Sequence, residues 1–176
     1  MKKLFLMLCG IVLLFQSCES GKPSVKAELN KMIGSRVTYP SEMMLLNNNN
    51  RMIEDYMNSV YKVISFVDSI QCNECKAKAL LSWNELFPMY KKLGIPVLTI
   101  VSTPDLSSFN NAVKEIGITF PYMYDIHDEF AKNNHISYNE SLRVFLTRND
   151  TIIFVGNPAH NNTIHEMYIN KLTHIE

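Results

Sequence analysis

The chain has 176 residues, of which 47% are hydrophobic and 19% are charged, with 17 basic and 17 acidic residues. This length predicts one domain plus an extension, and the composition is sufficient for a buried core of ordinary size. Because the charges cancel, there is no net positive charge of the kind that favours nucleic acid, and we expect no nucleic-acid partner.

Residues 1–17 predict a secretory signal peptide. The basic start MKK precedes a mostly apolar run over residues 4–15, which is shorter than the roughly 20 residues that a membrane-spanning helix needs. The run ends in LLFQSC, which resembles the lipobox of bacterial lipoproteins, although Phe15 stands where that motif usually has leucine. This resemblance implies lipid attachment at Cys18 and a membrane-anchored lipoprotein outside the cytoplasm, facing the periplasm or at the cell surface. Ordinary signal cleavage is the alternative.

The predicted organisation is a signal peptide at residues 1–17, a tether and N-terminal extension at 18–60, and a domain at 61–176. Residues 19–35 are mostly polar and fit a tether. Residues 36–40, RVTYP, alternate in polarity and fit a short edge strand that ends at Pro40.

From residue 61 the pattern predicts strands and helices in the order β-α-β-α-β-β-α. Long apolar runs rich in β-branched residues indicate buried strands, and spaced apolar positions indicate helices. Pro88 is expected to kink or divide the first helix, and Asp105 and Gly117 are expected to begin and end the second. The predicted segments are a strand at 61–69, a helix from 72 to about 93, a strand at 95–102, a helix at 103–117, an extended segment at 120–125, a short helix at 126–134, a hairpin of strands at 143–147 and 151–156, and a helix at 163–174.

These elements predict an α/β fold with one mixed sheet of four strands. Strands joined by a helix are parallel with a right-handed crossover, whereas the terminal hairpin is antiparallel. Helices on both faces of the sheet are the simplest way to bury the apolar side chains.

Two cysteines lie three positions apart in SIQCNECKAK, directly after the first predicted strand. If Cys9 leaves with the signal peptide and Cys18 carries lipid, Cys72 and Cys75 are the remaining thiols, in a compartment where disulfides persist. They are able to form a redox pair, part of a metal site or a structural disulfide. A disulfide that closes so short a loop contributes little chain entropy.

A zinc site would need two further ligands. His160 and His165 are the closest histidine pair, but they lie far along the chain from the cysteines. A peroxidase of the peroxiredoxin type is also disfavoured, because the approach FVDSIQC lacks the proline and threonine that this family carries before its reactive cysteine.

Residues 61–174 resemble the thioredoxin superfamily, and most closely the membrane-anchored thioredoxin-like lipoproteins of the disulfide-reductase type. The resemblance is carried by the strand, C-x-x-C and helix, by GIPVLTIVS, by FPYMYD, and by the hairpin with its following helix. It implies a thioredoxin-like three-layer fold and thiol-disulfide exchange without a cofactor or metal. Cys72 would be the attacking thiol and Cys75 the resolving thiol, and the partners would be protein thiols or disulfides and a redox partner. The alternative is a non-catalytic thioredoxin-fold binding module whose cysteines form a structural disulfide.

The local electrostatics of the pair are also predictable. Cys72 at a helix N-terminus would gain thiolate character, and Cys75, one turn on, is expected to be more buried. Lys76 and Lys78 add positive potential, whereas Glu74 opposes it and is expected to make the pair more reducing.

Three features depart from the thioredoxin pattern. The family carries a cis-proline before its third core strand, but the segment SYNESLRVFL has none, and the equivalent position falls near Ser141 or Leu142. We expect a trans loop there, because a cis bond without proline costs about 2.5–4 kcal/mol. Phe66 stands where the family has a buried acid, and Asp68 is either a proton acceptor for Cys75 or a polar strand end. Trp83, away from the cysteines, is expected to serve in packing.

Overall fold

The computed structural model describes residues 24–46, 56–68, 70, 72–137 and 139–173. Cys18 and the predicted signal peptide lie outside these residues, so signal cleavage and lipid attachment stay predictions. No helix within the described ranges combines the length and the hydrophobicity that crossing a bilayer requires. The helices are α1 (Val25–Met32), α2 (Asn73–Leu80), α3 (Trp83–Lys92), α4 (Leu106–Ile116), α5 (Glu129–Asn134) and α6 (Asn162–Thr173), and the strands are β1 (Met43–Leu46), β2 (Tyr61–Val67), β3 (Val97–Val101), β4 (Tyr122–Asp125), β5 (Val144–Arg148) and β6 (Thr151–Val155).

Within the described residues the strands form one mixed sheet in the order β1-β4-β3-β2-β5-β6. The central pairs β2–β3 and β3–β4 are parallel, and the outer pairs are antiparallel. The α/β class and the mixed sheet are confirmed, but the predicted count of four strands is wrong because the sheet has six. The two additional strands are β4, predicted only as extended, and β1, whose four-residue apolar run has no periodicity that separates strand from helix.

The sheet separates two cores, because successive side chains of β2 point to opposite faces. Val63 and Val67 face one core, which contains Leu80, Trp83 and Phe109. Ile64 and Phe66 face the other core, which also contains residues from the N-terminal extension and from β5 and β6. The two faces explain why β2 reads as a continuous apolar run rather than as an alternating one.

The N-terminal extension is part of the second core. Met32 of α1 and Val37 are 7% and 4% exposed. The edge strand predicted at residues 36–40 is wrong. Within residues 36–40 only Arg36 forms an isolated bridge, to Thr151 of β6, and the edge strands of the sheet are β1 and β6.

The long helix predicted from residue 72 is divided, but not at Pro88. Leu81 and Ser82 separate α2 from α3, and Pro88 lies inside α3. The division turns the chain so that Leu80 and Trp83 both reach the core, each 1% exposed. Trp83 therefore serves in packing, as predicted.

The other element boundaries follow the predicted caps closely. The Asp105 carboxylate accepts a hydrogen bond from the Ser108 N–H at 2.9 Å at the start of α4, and Gly117 ends that helix with φ of 82°. Asn149 and Asp150 turn the β5–β6 hairpin with φ of 48° and 62°, the left-handed values that a tight two-residue hairpin turn requires.

Candidate functional site

The Cys72–Cys75 disulfide lies at the point where the central strand β2 leads into α2. The two Cα atoms are 5.2 Å apart. Cys72 is the N-cap of α2, with extended backbone angles, and its Sγ accepts a hydrogen bond from the Cys75 N–H at 3.1 Å. The sulfur of Cys72 therefore faces the positive end of the helix dipole, where a negative charge is stabilised. The predicted succession of buried strand, C-x-x-C and helix is confirmed.

Both cysteines are exposed to solvent. The expectation that Cys75 is shielded is wrong, because the inward face of α2 is occupied by the side chains of Lys76, Ala77 and Leu80. Both cysteine residues of the disulfide therefore lie at the surface of the protein.

The charges on the exposed side of α2 cancel. Lys78 Nζ and Glu74 Oε1 are 2.6 Å apart, an (i, i+4) pair with both side chains largely exposed. The hydrogen bond to Lys78 lowers the pKa of Glu74, and the same bond raises the pKa of Lys78. The positive contribution predicted for Lys78 is therefore matched by Glu74 beside it.

Lys76 behaves differently, because its side chain is directed into the protein and is 1% exposed. Burial lowers the pKa of Lys76, and the carboxylates of Asp68 and Asp128 oppose that change. Lys76 is therefore a buried cation in the residue next to Cys75.

Asp68 follows β2 and is 7% exposed. Its Oδ2 lies 2.6 Å from Nη2 of Arg143, and its Oδ1 accepts a hydrogen bond from the Ile70 N–H at 3.2 Å. Phe66, at the position of the family's acid, is 4% exposed and packs against Phe130 with ring centroids 5.5 Å apart. Asp68 is thus the buried carboxylate of this region, and its partner Arg143 was not anticipated from the sequence.

The loop before β5 occupies the position at which thioredoxins carry their cis-proline. Glu140–Leu142 forms a 3₁₀ turn, and the described residues contain no cis peptide bond, in agreement with the expected trans loop. Leu142 is buried in the second core, whereas Ser141 is exposed and donates a hydrogen bond to Asn139 Oδ1 at 2.7 Å. A groove of about 420 Å³ separates this loop from α2 and from residues 157–161.

The zinc alternative receives no support in the described part of the chain, where no three His, Cys, Asp or Glu side chains come together as a metal site. His160 Nε2 lies 3.3 Å from the Ser82 hydroxyl. The ring of His165 packs edge-on against Tyr90, with centroids 6.0 Å apart. Neither histidine is joined by a cysteine, since both C-x-x-C sulfurs are in the disulfide.

A parallel strand pair, a disulfide at the first turn of the following helix, and an antiparallel hairpin with a C-terminal helix define a protein of the thioredoxin-like fold. Residues 29–162 match the model of the Redoxin family, and the chain belongs to this family. The matched region begins within α1, so it includes part of the N-terminal extension as well as the domain predicted from residue 61. The comparison with curated proteins gives no significant match.

Solved structures support the same fold. The chain is similar to a thioredoxin-like protein in its oxidised form, with 18% identity, a TM-score of 0.56, and coverage of 81% of this chain and 96% of that one. It is similar to a candidate thiol:disulfide interchange protein DsbE from Chlorobium tepidum, with 16% identity, a TM-score of 0.54, and coverage of 78% and 98%. It is also similar to a candidate protein disulfide isomerase from Bacteroides thetaiotaomicron, with 14% identity, a TM-score of 0.55, and coverage of 80% and 89%.

Proposed function

We propose that this protein is a lipid-anchored thiol-disulfide oxidoreductase that acts outside the cytoplasm, with Cys72 as the attacking thiol and Cys75 as the resolving thiol. The observation that carries the proposal is the exposed Cys72–Cys75 disulfide at the N-terminus of α2, where Cys72 Sγ accepts the Cys75 N–H. The names of the similar structures, a thiol:disulfide interchange protein and a disulfide isomerase, describe the same chemistry.

In the reducing direction, the Cys72 thiolate attacks one sulfur of a substrate disulfide. A bond forms between Cys72 and that sulfur, and the other substrate sulfur leaves as a thiolate and takes up a proton. Cys75 then loses its proton and attacks Cys72, which forms the Cys72–Cys75 disulfide and releases the second substrate thiol. Two electrons pass from the cysteine pair to the substrate, and a protein dithiol of the redox partner restores the pair.

The exchange is tested with Cys75→Ser, which leaves Cys72 free to attack but removes the thiol that resolves the mixed disulfide. We expect this variant to accumulate disulfide-linked protein partners in cells, whereas the matched Cys72→Ser variant accumulates far fewer. A glutathione redox titration of the unmodified protein should give a reversible two-electron transition. A pair that stays oxidised throughout the titration and traps no partner would identify the binding module with a structural disulfide instead.

The location is a separate part of the proposal and rests on the apolar run and LLFQSC at residues 4–18. We expect the unmodified protein to partition with membranes and to carry lipid on Cys18, detected by mass spectrometry of the mature N-terminus. Cys18→Ala should block processing or release the protein from the membrane. An unmodified protein recovered in the soluble fraction with a free Cys18 thiol contradicts the anchor but leaves the exchange chemistry untouched.

A further inference from the structure

One buried carboxylate joins the segment between β2 and Cys72 to the loop before β5. Asp68 contacts Arg143 of the loop before β5 at 2.6 Å and accepts the N–H of Ile70, two residues before Cys72. Arg143 in turn donates from Nε to the Ser137 carbonyl at 3.4 Å, and its own carbonyl accepts the Phe66 N–H at 2.9 Å. Ile70 and the loop before β5 are thus both held by contacts to Asp68.

The Asp68 carboxylate also lies close to two buried basic side chains, Arg143 and Lys76. Both side chains of the Asp68–Arg143 pair are 10% exposed, and Lys76, at 1% exposure, is attracted by Asp68 and by Asp128. A cavity of about 570 Å³ adjoins these groups. Several charged or titratable side chains face Asp68 or line this cavity: Lys76 in α2, Lys132 in α5, Asp128 and His135 at the two ends of α5, and Arg143 in the loop before β5.

We propose that Asp68 is a positioning residue for thiol-disulfide exchange, which balances the buried cations Arg143 and Lys76 and holds Ile70, two residues before Cys72, in place. This inference rests on the function proposed above. It differs from the alternative in which Asp68 takes the proton of Cys75, because here the carboxylate acts through Arg143 and Lys76.

The proposal predicts shifts of opposite sign for the two partners. Asp68→Asn leaves Arg143 and Lys76 with one negative charge fewer, so the Cys72 thiolate becomes more stable and the thiol pKa falls. Arg143→Gln leaves the Asp68 carboxylate in excess, so the Cys72 thiol pKa rises. Four residues span at most about 14 Å. At an effective dielectric constant of about 20, a unit charge at this distance from Cys72 shifts its pKa by about 0.9 unit, and a nearer charge shifts it by more.

The experiment is a pH series of iodoacetamide labelling at Cys72, followed by mass spectrometry, on the reduced full chain and its variants. We expect a lower midpoint in Asp68→Asn, a higher midpoint in Arg143→Gln, and a midpoint near that of the unmodified protein in the double variant and in Arg143→Lys. The reduction potential should rise in Asp68→Asn and fall in Arg143→Gln, since a more stable thiolate favours the reduced pair.

Asp150→Asn is the matched control. It makes the same carboxylate-to-amide change in another buried pair, in which Asp150 lies 2.7 Å from Lys62 with side-chain exposures of 24% and 1%. Lys62 is near the opposite end of β2, about 20 Å from Asp68, so Asp150→Asn should lower the melting temperature without moving the Cys72 midpoint.

The possible outcomes distinguish the proposed role of Asp68 from the proposed thiol-disulfide exchange function. Midpoints that move in the same direction in both single variants, or do not move in either, overturn the role of Asp68 even when the protein reduces disulfides. An unchanged midpoint in Asp68→Asn with slower closure of the Cys72–Cys75 disulfide assigns Asp68 as the proton acceptor instead. A thiol pair in the unmodified protein that neither labels nor titrates overturns the exchange function itself.

Discussion

The thiol pKa of Cys72 in the reduced protein is the most direct test of how the site works. In Cys75→Ser the side chain that resolves the disulfide is gone, but the backbone N–H of residue 75 remains. That N–H donates to Cys72 Sγ at 3.1 Å. We therefore expect the variant to report the effect of the helix N-terminus on an isolated Cys72 thiolate.

The size of the effect follows from this hydrogen bond. A hydrogen bond to a charged group contributes about 1.5–3 kcal/mol, and one pKa unit corresponds to about 1.4 kcal/mol. The Cys72 pKa should therefore lie about 1–2 units below the roughly 8.5 of a free cysteine, near 7. Glu74 and Lys78 add little, because they form a salt bridge with each other.

The midpoint of the labelling profile is the decisive quantity, rather than the rate at one pH. At pH 7 a pKa near 7 gives about 15 times more thiolate than a pKa near 8.5, but a less basic thiolate is also less nucleophilic, by about 5-fold over 1.5 units. The net gain in rate is only about 3-fold. The assay is iodoacetamide labelling between pH 5.5 and 9.5, read by mass spectrometry.

Cys72→Ser is the matched control, because Cys75 lies inside the first turn of α2 rather than at its N-cap. Its labelling midpoint should lie near the value of a free cysteine. Both cysteine residues are exposed, so residue exposure does not separate them, and equal midpoints in the two variants would refute the reasoning from the helix N-terminus.

Three further outcomes are expected. Glu74→Gln should lower the Cys72 labelling midpoint by a few tenths of a pH unit, because it leaves the Lys78 charge uncompensated. The double variant Glu74→Gln with Lys78→Met should restore the midpoint of the unmodified protein. A higher midpoint in Glu74→Gln alone contradicts this electrostatic effect. Reduction of insulin by the unmodified protein should be weak, because the loop at Ser141 lacks the family's proline. Insulin reduction at a thioredoxin-like rate in a turbidity assay would contradict this effect of the missing proline. Burial raises the pKa of Tyr122 from 10.0 to about 12, so its contribution to stability is present below pH 10 and is lost as the pH rises towards 12. Tyr122→Phe should therefore flatten the fall in melting temperature at alkaline pH, and an unchanged slope shows that another group causes that fall.

The local chemistry of the chain was predictable from sequence wherever neighbouring residues decide it. The β-branched run of β2, the Asp105 cap and Gly117 stop of α4, and the hairpin turn at Asn149 and Asp150 each depend on contacts within a few residues. The position of Cys72 at a helix N-terminus was predictable for the same reason, because the C-x-x-C motif directly follows a buried strand and opens the next helix.

Tertiary structure alone decided the environment of that site. Nothing local pairs Asp68 with Arg143, since the two residues are far apart in the chain and meet only because β2 and β5 are neighbours in the sheet. The burial of Lys76 near Asp68 and the distant Asp128 depends on tertiary packing in the same way, and a lysine next to a cysteine does not reveal it in the sequence. The position of the cysteine pair at the start of α2 was therefore predictable from sequence, whereas the pairing of Asp68 with Arg143 and the burial of Lys76 depend on which distant segments the fold brings together.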